Sequence, residues 1–214
     1  MSLINVISQI IGGYDNSNYV DPNSGTECYF FGDSITGYNI YQNALCTNKG
    51  WVANSYGISG TTITTNACRT ALDLATVPTK GLEDRYLFFA FGVNDQFVNT
   101  GSEITAANYQ TAIENAISNA FGKGWAYNRI YILSPFYTTY DGTVGYCSSY
   151  ATDSTRKELF VSSAAAAAAT YGTGYVDIYH HMENNGAASL LEDTIHPNSA
   201  GFTVISNYLI SLIN

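Results

Sequence analysis

The sequence predicts an α/β fold: a three-layer α/β/α sandwich around a five-stranded parallel sheet, of the flavodoxin-like type. Short, almost continuously apolar segments alternate with helix-compatible segments along most of the chain. Strands that are apolar on both faces are typical of parallel sheets covered by helices on both sides. Right-handed crossovers between successive strands place helices on the two faces, and 214 residues suffice for one domain with a substantial core.

The individual elements follow from the local pattern. The predicted strands cover residues 28–31, 51–54, 86–91, 129–133 and 174–178. The predicted helices cover residues 40–47, 66–76, 106–121, 155–171 and 199–213. Thr155 and Glu158 fit a capping box at the start of one helix. The alanines at 164–169 indicate a tightly packed helix, because alanine is the strongest helix former.

Residues 1–26 are predicted to form a separate N-terminal lead-in of a short helix and a loop. Leu3, Ile7 and Ile10 recur at helical spacing, and glycines at 12–13 end that pattern. The segment lacks a basic start and an obvious small-residue cleavage site, so it does not look like an intact signal peptide. Residues 27–214 are predicted to form the functional domain.

Charge and composition limit the partners. The net charge is -9, and eight Lys and Arg residues cannot form the dense cationic face that a nucleic acid requires. The same charge disfavours docking on anionic lipid. No apolar run of about 18 residues is present, so no membrane span is predicted. The low Lys and Arg content and the abundance of Tyr, Asn and Thr favour an extracellular or cell-surface location, and the oligomeric state is left open.

Metal and nucleotide signatures are missing from the sequence. Cys28, Cys46, Cys68 and Cys147 lack C-x-x-C spacing, and their even number permits two disulfides without indicating them. His180, His181 and Glu183 are a weak metal candidate, because adjacent side chains at a strand end point apart. The chain has no G-x-G-x-x-G, Walker or G-x-S-x-G motif. We therefore expect neither a metal nor a cofactor.

One serine lies directly after a predicted strand, at the edge of the predicted sheet. The segment 30–36 reads FFGDSIT, so an apolar run ends at Gly32-Asp33-Ser34 and a helix-compatible segment follows. Gly32 permits a tight turn where a side chain would clash. Ser34 then lies near a helix N-terminus, where backbone N–H groups favour developing negative charge. Such a serine can act as a nucleophile when a base is near, although the same tripeptide also occurs in ordinary turns.

Three further segments accompany this serine. They read NSYGISGT at 54–61, FGVND at 91–95 and DTIHP at 193–197. Ser34, Gly60 and Asn94 each follow a predicted strand, at the edge where parallel sheets bind ligands. Serine-dependent ester cleavage needs a base and a carboxylate that orients it, and His196 with Asp193 three residues earlier suits those roles.

In this order the four segments resemble the sequence blocks of the SGNH hydrolases, also called the GDSL esterase/lipase family, over about residues 28–214. The resemblance implies that residues 27–214 form an SGNH catalytic domain with a triad of Ser34, Asp193 and His196. It also implies an oxyanion hole formed by the backbone N–H groups of Ser34 and Gly60 and the side-chain amide of Asn94. Ile35 replaces the usual leucine, which conserves volume.

Each of these residues also has an ordinary structural role available. Asp193 and His196 could mark the first turn of a helix, Gly60 a plain turn, and Asn94 a loop cap. Asp33 and Asp95 are expected to support the site loops through hydrogen bonds and are assigned no chemical step.

The predicted function is a serine esterase that forms an acyl-enzyme and acts on a small-molecule or carbohydrate ester. Short connections between the blocks favour small acyl groups such as acetyl. Carbohydrate O-acetyl esterase, short-chain lipase, thioesterase and acyltransferase activities remain open. The alternative is a surface interaction or carbohydrate-binding module with a vestigial site. Several tyrosines after the fourth predicted strand either line a carbohydrate surface or serve ordinary packing: Tyr137, Tyr140, Tyr146 and Tyr150.

Overall fold

A five-stranded, all-parallel sheet forms the centre of the structure. The structure is a computed structural model, and it describes residues 25–64, 85–96, 104–140 and 153–213. The strands are β1 (Glu27–Gly32), β2 (Val52–Gly57), β3 (Arg85–Ala90), β4 (Ile130–Leu133) and β5 (Gly174–Val176). Their spatial order is β2-β1-β3-β4-β5, the doubly wound order of flavodoxin-like folds. The predicted fold class is therefore confirmed.

Helices cover the two faces of this sheet. They are α1 (Ser34–Gly37), α2 (Ile40–Lys49), α3 (Val93–Gln96), α4 (Ala106–Gly122), α5 (Asp153–Tyr171), α6 (Ile178–Asn184) and α7 (Ser199–Leu212). Short 3-10 turns occur at Tyr127–Arg129 and Ala187–Leu190. Helices α4 and α5 contribute to the core on one face, and α2 and α7 contribute to the core on the other.

The alternation of side chains along the strands divides the core in two. Phe31 of β1 and Phe89 of β3 are buried against α4 and α5. Phe30 and Phe88 are buried on the opposite face with α2 and α7, and their rings stack with centroids 4.5 Å apart. Because both faces are apolar, the central strands are nearly continuous hydrophobic runs, which is the pattern that predicted them.

Some predicted boundaries are wrong. Helix α5 begins at Asp153, so Thr155 lies inside its first turn and the predicted capping box does not start the helix. Strand β5 ends at Val176, and Ile178 begins α6 instead of ending the strand. Strand β2 continues to Gly57, beyond the predicted end at residue 54. It lies at the edge of the sheet and is only partly buried, so the polar residues 55–57 that extend it gave no strand signal.

Several predictions fall on residues that the structure does not describe. These are the helix at 66–76, the lead-in helix, Cys68, Cys147, Tyr146 and Tyr150. Cys28 and Cys46 are described, and both are free and buried in the core between the sheet and α2. Within the described ranges, no helix is both long enough and apolar enough to cross a membrane.

Candidate active site

Ser34 lies just beyond the carboxyl end of β1. Gly32, the last residue of β1, pairs with Gly57 of β2 and Ala90 of β3. A side chain at Gly32 would collide with Thr36 and with the carbonyl oxygen of Ala90, so the chain can turn here only with glycine. The turn places Ser34 as the first residue of α1.

Asp33 fixes the turn that carries the serine. It is the N-cap of α1, and its Oδ1 accepts a hydrogen bond of 3.0 Å from the backbone N–H of Ile35. This is the usual way in which an aspartate satisfies a free donor at a helix start. The backbone N–H groups of Ser34 and Gly60 donate no hydrogen bond to any of the residues that the structure describes.

A chain of hydrogen bonds joins Ser34 to two residues far along the sequence. Ser34 Oγ lies 3.0 Å from Nε2 of His196, and Nδ1 of His196 lies 2.8 Å from Oδ2 of Asp193. When the ring proton is on Nδ1, His196 donates to Asp193, and Nε2 is free to accept the proton of Ser34. The three predicted triad residues therefore lie in contact, in the order that proton transfer requires.

The turn that holds His196 is closed by its own aspartate. Oδ1 of Asp193 accepts hydrogen bonds of 2.6 Å from the backbone N–H groups of Ile195 and His196. Desolvation acts to raise the pKa of Asp193, but the hydrogen bonds from the side chain and backbone of His196 and from Ile195 outweigh it and lower that pKa below its ordinary value. Asp193 is therefore a charged partner for the imidazole.

The loop after β2 brings Gly60 to the same edge. Ile58 donates its backbone N–H to the carbonyl oxygen of Gly32 over 3.0 Å, and the hydroxyl of Thr61 lies 3.3 Å from the same oxygen. Gly60 has a φ of 73°, which favours glycine, and no other group crowds the position of a Cβ there. The backbone conformation explains this glycine.

Asn94 is connected to that loop. It lies in α3, directly after β3, and its Nδ2 donates a 2.9 Å hydrogen bond to the carbonyl oxygen of Thr61. Its amide group has a second N–H. One N–H thus holds the side chain against the loop of Gly60, and the other is not used by that bond.

Two buried carboxyl groups lie beneath the site. Asp95 accepts hydrogen bonds from the backbone N–H groups of Ile63 and Thr64 and from the Thr64 hydroxyl. Burial raises the pKa of Asp95 to about 6. Asp33 is fully buried, and its Oδ2 has no hydrogen-bond partner among the described residues. Burial, with a smaller contribution from the charge of Asp95, raises the pKa of Asp33 to about 7.

An open cleft of about 410 Å³ gives access to the serine. The described residues that line it are Ser34, Gly37, Tyr38, Ser59 and His196. Tyr38 and Ser59 were not predicted as site residues. An exposed tyrosine four positions after Ser34 gives no sequence signal of its own, because only the turn at Gly32 and the short helix α1 bring it to the cleft.

Two groups of side chains among the described residues could offer ligands to a metal ion. One is Glu192, Asp193 and His196, within the site itself. The other is Glu158, His180 and Glu183, which lies outside it.

Ion pairs of His180 account for the side chains that meet in the second group. His180 Nδ1 lies 2.7 Å from Asp177, and Nε2 lies 3.2 Å from Glu158. The hydrogen bond to Asp177 raises the pKa of His180. His180 and His181 lie on helix α6, not at a strand end as predicted, and His181 stacks on Tyr208 instead of joining the group.

The sequence of this chain matches a family model. The model of the GDSL-like lipase/acylhydrolase family matches residues 30–204, and the chain belongs to that family. The match spans the segments that carry Ser34, Gly60, Asn94 and Asp193 with His196. No curated protein sequence matches the chain.

Solved structures show the same fold at low sequence identity. A member of the lipolytic G-D-S-L family from Veillonella parvula is 18% identical with a TM-score of 0.70, covering 88% of this chain and 98% of that one. A lipase/acylhydrolase from Enterococcus faecalis is 18% identical with a TM-score of 0.67, covering 88% and 95%. Axe2, an acetylxylan esterase from Geobacillus stearothermophilus, is 17% identical with a TM-score of 0.65, covering 88% and 95%.

The buried carboxyl of Asp33 predicts a pH-dependent stability. Its pKa is about 7 in the folded chain against an ordinary 3.8, so the unfolded chain releases this proton first as the pH rises. The contribution of Asp33 to the free energy of unfolding therefore falls between about pH 4 and pH 7 and stays low above that range. We expect Asp33→Asn, which keeps the capping oxygen, to gain up to roughly 4 kcal/mol relative to wild type across this range.

Urea unfolding of both proteins at several pH values measures this difference. Asp193→Asn is the control, because the contribution of Asp193 to the free energy of unfolding has the opposite pH dependence. The pKa of Asp193 is lowered, so its stabilising contribution is present at neutral pH and is lost as the pH falls. A difference between Asp33→Asn and wild type that does not change from about pH 4 to pH 8 would show that Asp33 is not held as a buried acid.

Proposed function

We propose that this protein is a serine esterase that cleaves short-chain acyl esters, acetyl esters of carbohydrates among them, through an acyl-enzyme. The observation that carries the proposal is the continuous chain Ser34 Oγ, His196 and Asp193, with distances of 3.0 and 2.8 Å. Membership of the GDSL-like lipase/acylhydrolase family supports ester hydrolysis as the reaction class.

The first half of the reaction transfers the acyl group to the enzyme. Ser34 Oγ attacks the ester carbonyl carbon while Nε2 of His196 accepts its proton. The tetrahedral intermediate then breaks its bond to the alcohol oxygen, which leaves with the proton from His196. Asp193 holds the imidazole in position and stabilises its positive charge during the transfer.

The second half releases the acid. A water molecule gives a proton to His196 and attacks the acyl-enzyme carbonyl carbon, and Ser34 leaves as the proton returns to its Oγ. In both halves negative charge develops on the former carbonyl oxygen. The backbone N–H groups of Ser34 and Gly60 and the second N–H of Asn94 are the proposed donors to that oxygen.

The openness of the cleft supports a small acyl group. It has a volume of about 410 Å³, opens to solvent, and presents polar groups of Ser34, Ser59 and His196. Because the cleft is open to solvent, it removes little of a long hydrocarbon chain from water, which favours a short acyl group. The acetylxylan esterase among the similar structures makes acetylated sugars a reasonable first substrate class to test.

Replacement of the nucleophile or the base tests the reaction directly. We expect Ser34→Ala and His196→Ala each to lower kcat for p-nitrophenyl acetate by roughly a millionfold, as in other serine triads. The first variant lacks the nucleophile, and the second lacks the base that accepts its proton. Ser211→Ala and His181→Ala, which change the same residue types outside the cleft, are the matched controls and should keep wild-type rates. Retention of activity within about tenfold of wild type in both triad variants would contradict the proposal.

Replacement of Asn94 tests the oxyanion hole separately. We expect Asn94→Ala to lower kcat by roughly 100- to 1000-fold with little change in KM, because the donor acts on charge that appears in the transition state. Asn108→Ala on the exposed side of α4 is the control, and melting curves of both variants check folding. An increase in KM with unchanged kcat would instead make Asn94 a residue that binds substrate.

A further inference from the structure

A second cavity lies next to the proposed catalytic cleft. It has a volume of about 390 Å³ and lies between α2 and α7. Apolar side chains of Ile40, Phe202 and Ile210 line it together with the polar side chains of Ser199, Thr203 and Asn207. Thr203 and Asn207 are exposed on α7, so their polar groups are available at the surface of the cavity.

One aromatic side chain connects the two cavities. Tyr38 lines the catalytic cleft, and its ring centroid lies 5.7 Å from that of His196. The same ring lies 5.6 Å from that of Phe202, which lines the second cavity. Tyr38 is 45% exposed, so its ring, which lies between His196 and Phe202, is accessible to a bound molecule.

The orientation of this ring is fixed from its polar end. The hydroxyl of Tyr38 donates a 3.0 Å hydrogen bond to Oε1 of Glu192. That bond raises the pKa of Tyr38, so the hydroxyl keeps its proton and the ring keeps this contact. An aromatic ring that is held in place before binding loses little conformational entropy when a ligand stacks on it.

The charges around the two cavities point to an uncharged ligand. Among the residues that the structure describes, neither lining includes Lys or Arg. The charged groups beside Tyr38 are the acids Glu192 and Asp193, and the chain carries a net charge of -9. An anionic ligand such as an acidic sugar would be repelled here.

The mixture of aromatic and polar groups indicates the chemistry of that ligand. A sugar ring has an apolar C–H face that suits an aromatic ring and hydroxyls that suit Ser, Thr and Asn side chains. A hydrocarbon chain could form no hydrogen bond with Ser199, Thr203 and Asn207, which are exposed at the edge of the cavity. The lining therefore favours a neutral sugar over a long acyl chain.

We propose that Tyr38 and the cavity between α2 and α7 bind the neighbouring units of a neutral oligosaccharide whose esterified unit lies at Ser34. This inference rests on the proposed esterase function and adds a binding subsite to it. Tyr38 stacks on the sugar next to the ester, and Asn207 binds hydroxyls of the unit beyond it. The enzyme then prefers esters of oligosaccharides to esters of single sugars.

Binding can be tested without catalysis. Calorimetric titration of the Ser34→Ala variant with xylo-, cello- and mannotriose should detect at least one of the three. Adding Asn207→Trp, which fills the cavity from an exposed position, should weaken that binding by roughly tenfold or more, as for the loss of one substrate contact. Adding Ser211→Trp, on the same helix but outside the cavity, should not weaken it. Failure of all three sugars to bind, or equal weakening by both tryptophans, would overturn the subsite.

Catalysis supplies an independent readout. For wild type, kcat/KM should be higher for the O-acetylated trisaccharide than for the O-acetylated monosaccharide, and both Tyr38→Ala and Asn207→Trp should lower this ratio by roughly tenfold. An unchanged ratio in both variants, or a preference for long-chain p-nitrophenyl esters that Asn207→Trp abolishes, would overturn the inference while leaving the esterase intact. Absence of hydrolysis of every ester, p-nitrophenyl acetate included, would overturn both proposals.

Discussion

The parallel pairing of β1 with strands on both sides is the constraint on which the rest of the site depends. Gly32 pairs with Gly57 on one side and with Ala90 on the other, so the three strands end at the same level. The loops that follow them carry Ser34, Gly60 and Asn94, and they meet because the strands are in register. A shift of one residue would also move every side chain of β1 to the opposite face, against two closely packed cores.

The base reaches this edge from a separate part of the chain. A short antiparallel bridge between Leu191 and Pro197 closes the turn that contains Asp193 and His196. Glu192 donates its backbone N–H to the carbonyl oxygen of His196 over 2.9 Å, so the turn is held by its backbone as well as by Asp193. The helix α7, which follows directly, anchors this turn through buried residues in the core. The hydrogen bond between Ser34 and His196 thus joins two turns that are each closed by their own hydrogen bonds.

The sequence predicts most of this architecture because its central strands are buried on both faces. Apolar runs such as 28–31 and 86–91 therefore mark β1 and β3 directly. Strand β2 is half exposed at the sheet edge, and the polar segment that extends it to Gly57 has no strand pattern. The short helix α6 was missed because its hydrogen-bonded start at Asp177 and His180 comes directly after β5, without the glycine or proline that usually marks such a boundary.

The sequence predicts the site residues through motifs, whereas their surroundings depend on tertiary structure. The spacing of Asp193 and His196 suits a turn that folds back on itself, and the structure has that turn. Tyr38 in the cleft contacts Glu192 and Phe202, which lie more than a hundred residues away in the sequence. The unpartnered oxygen of Asp33 likewise follows from burial in the assembled sheet edge, which no local pattern reports.

The central claim is that Ser34 is a nucleophile activated by His196. Covalent labelling with a serine-reactive fluorophosphonate, followed by mass spectrometry of the peptides, tests it most directly, because the label forms a bond only with an activated serine. The account predicts a single adduct on Ser34 and its loss in both Ser34→Ala and His196→Ala. An active enzyme that carries the adduct on another serine, or labelling of Ser34 at the wild-type rate in His196→Ala, would contradict it.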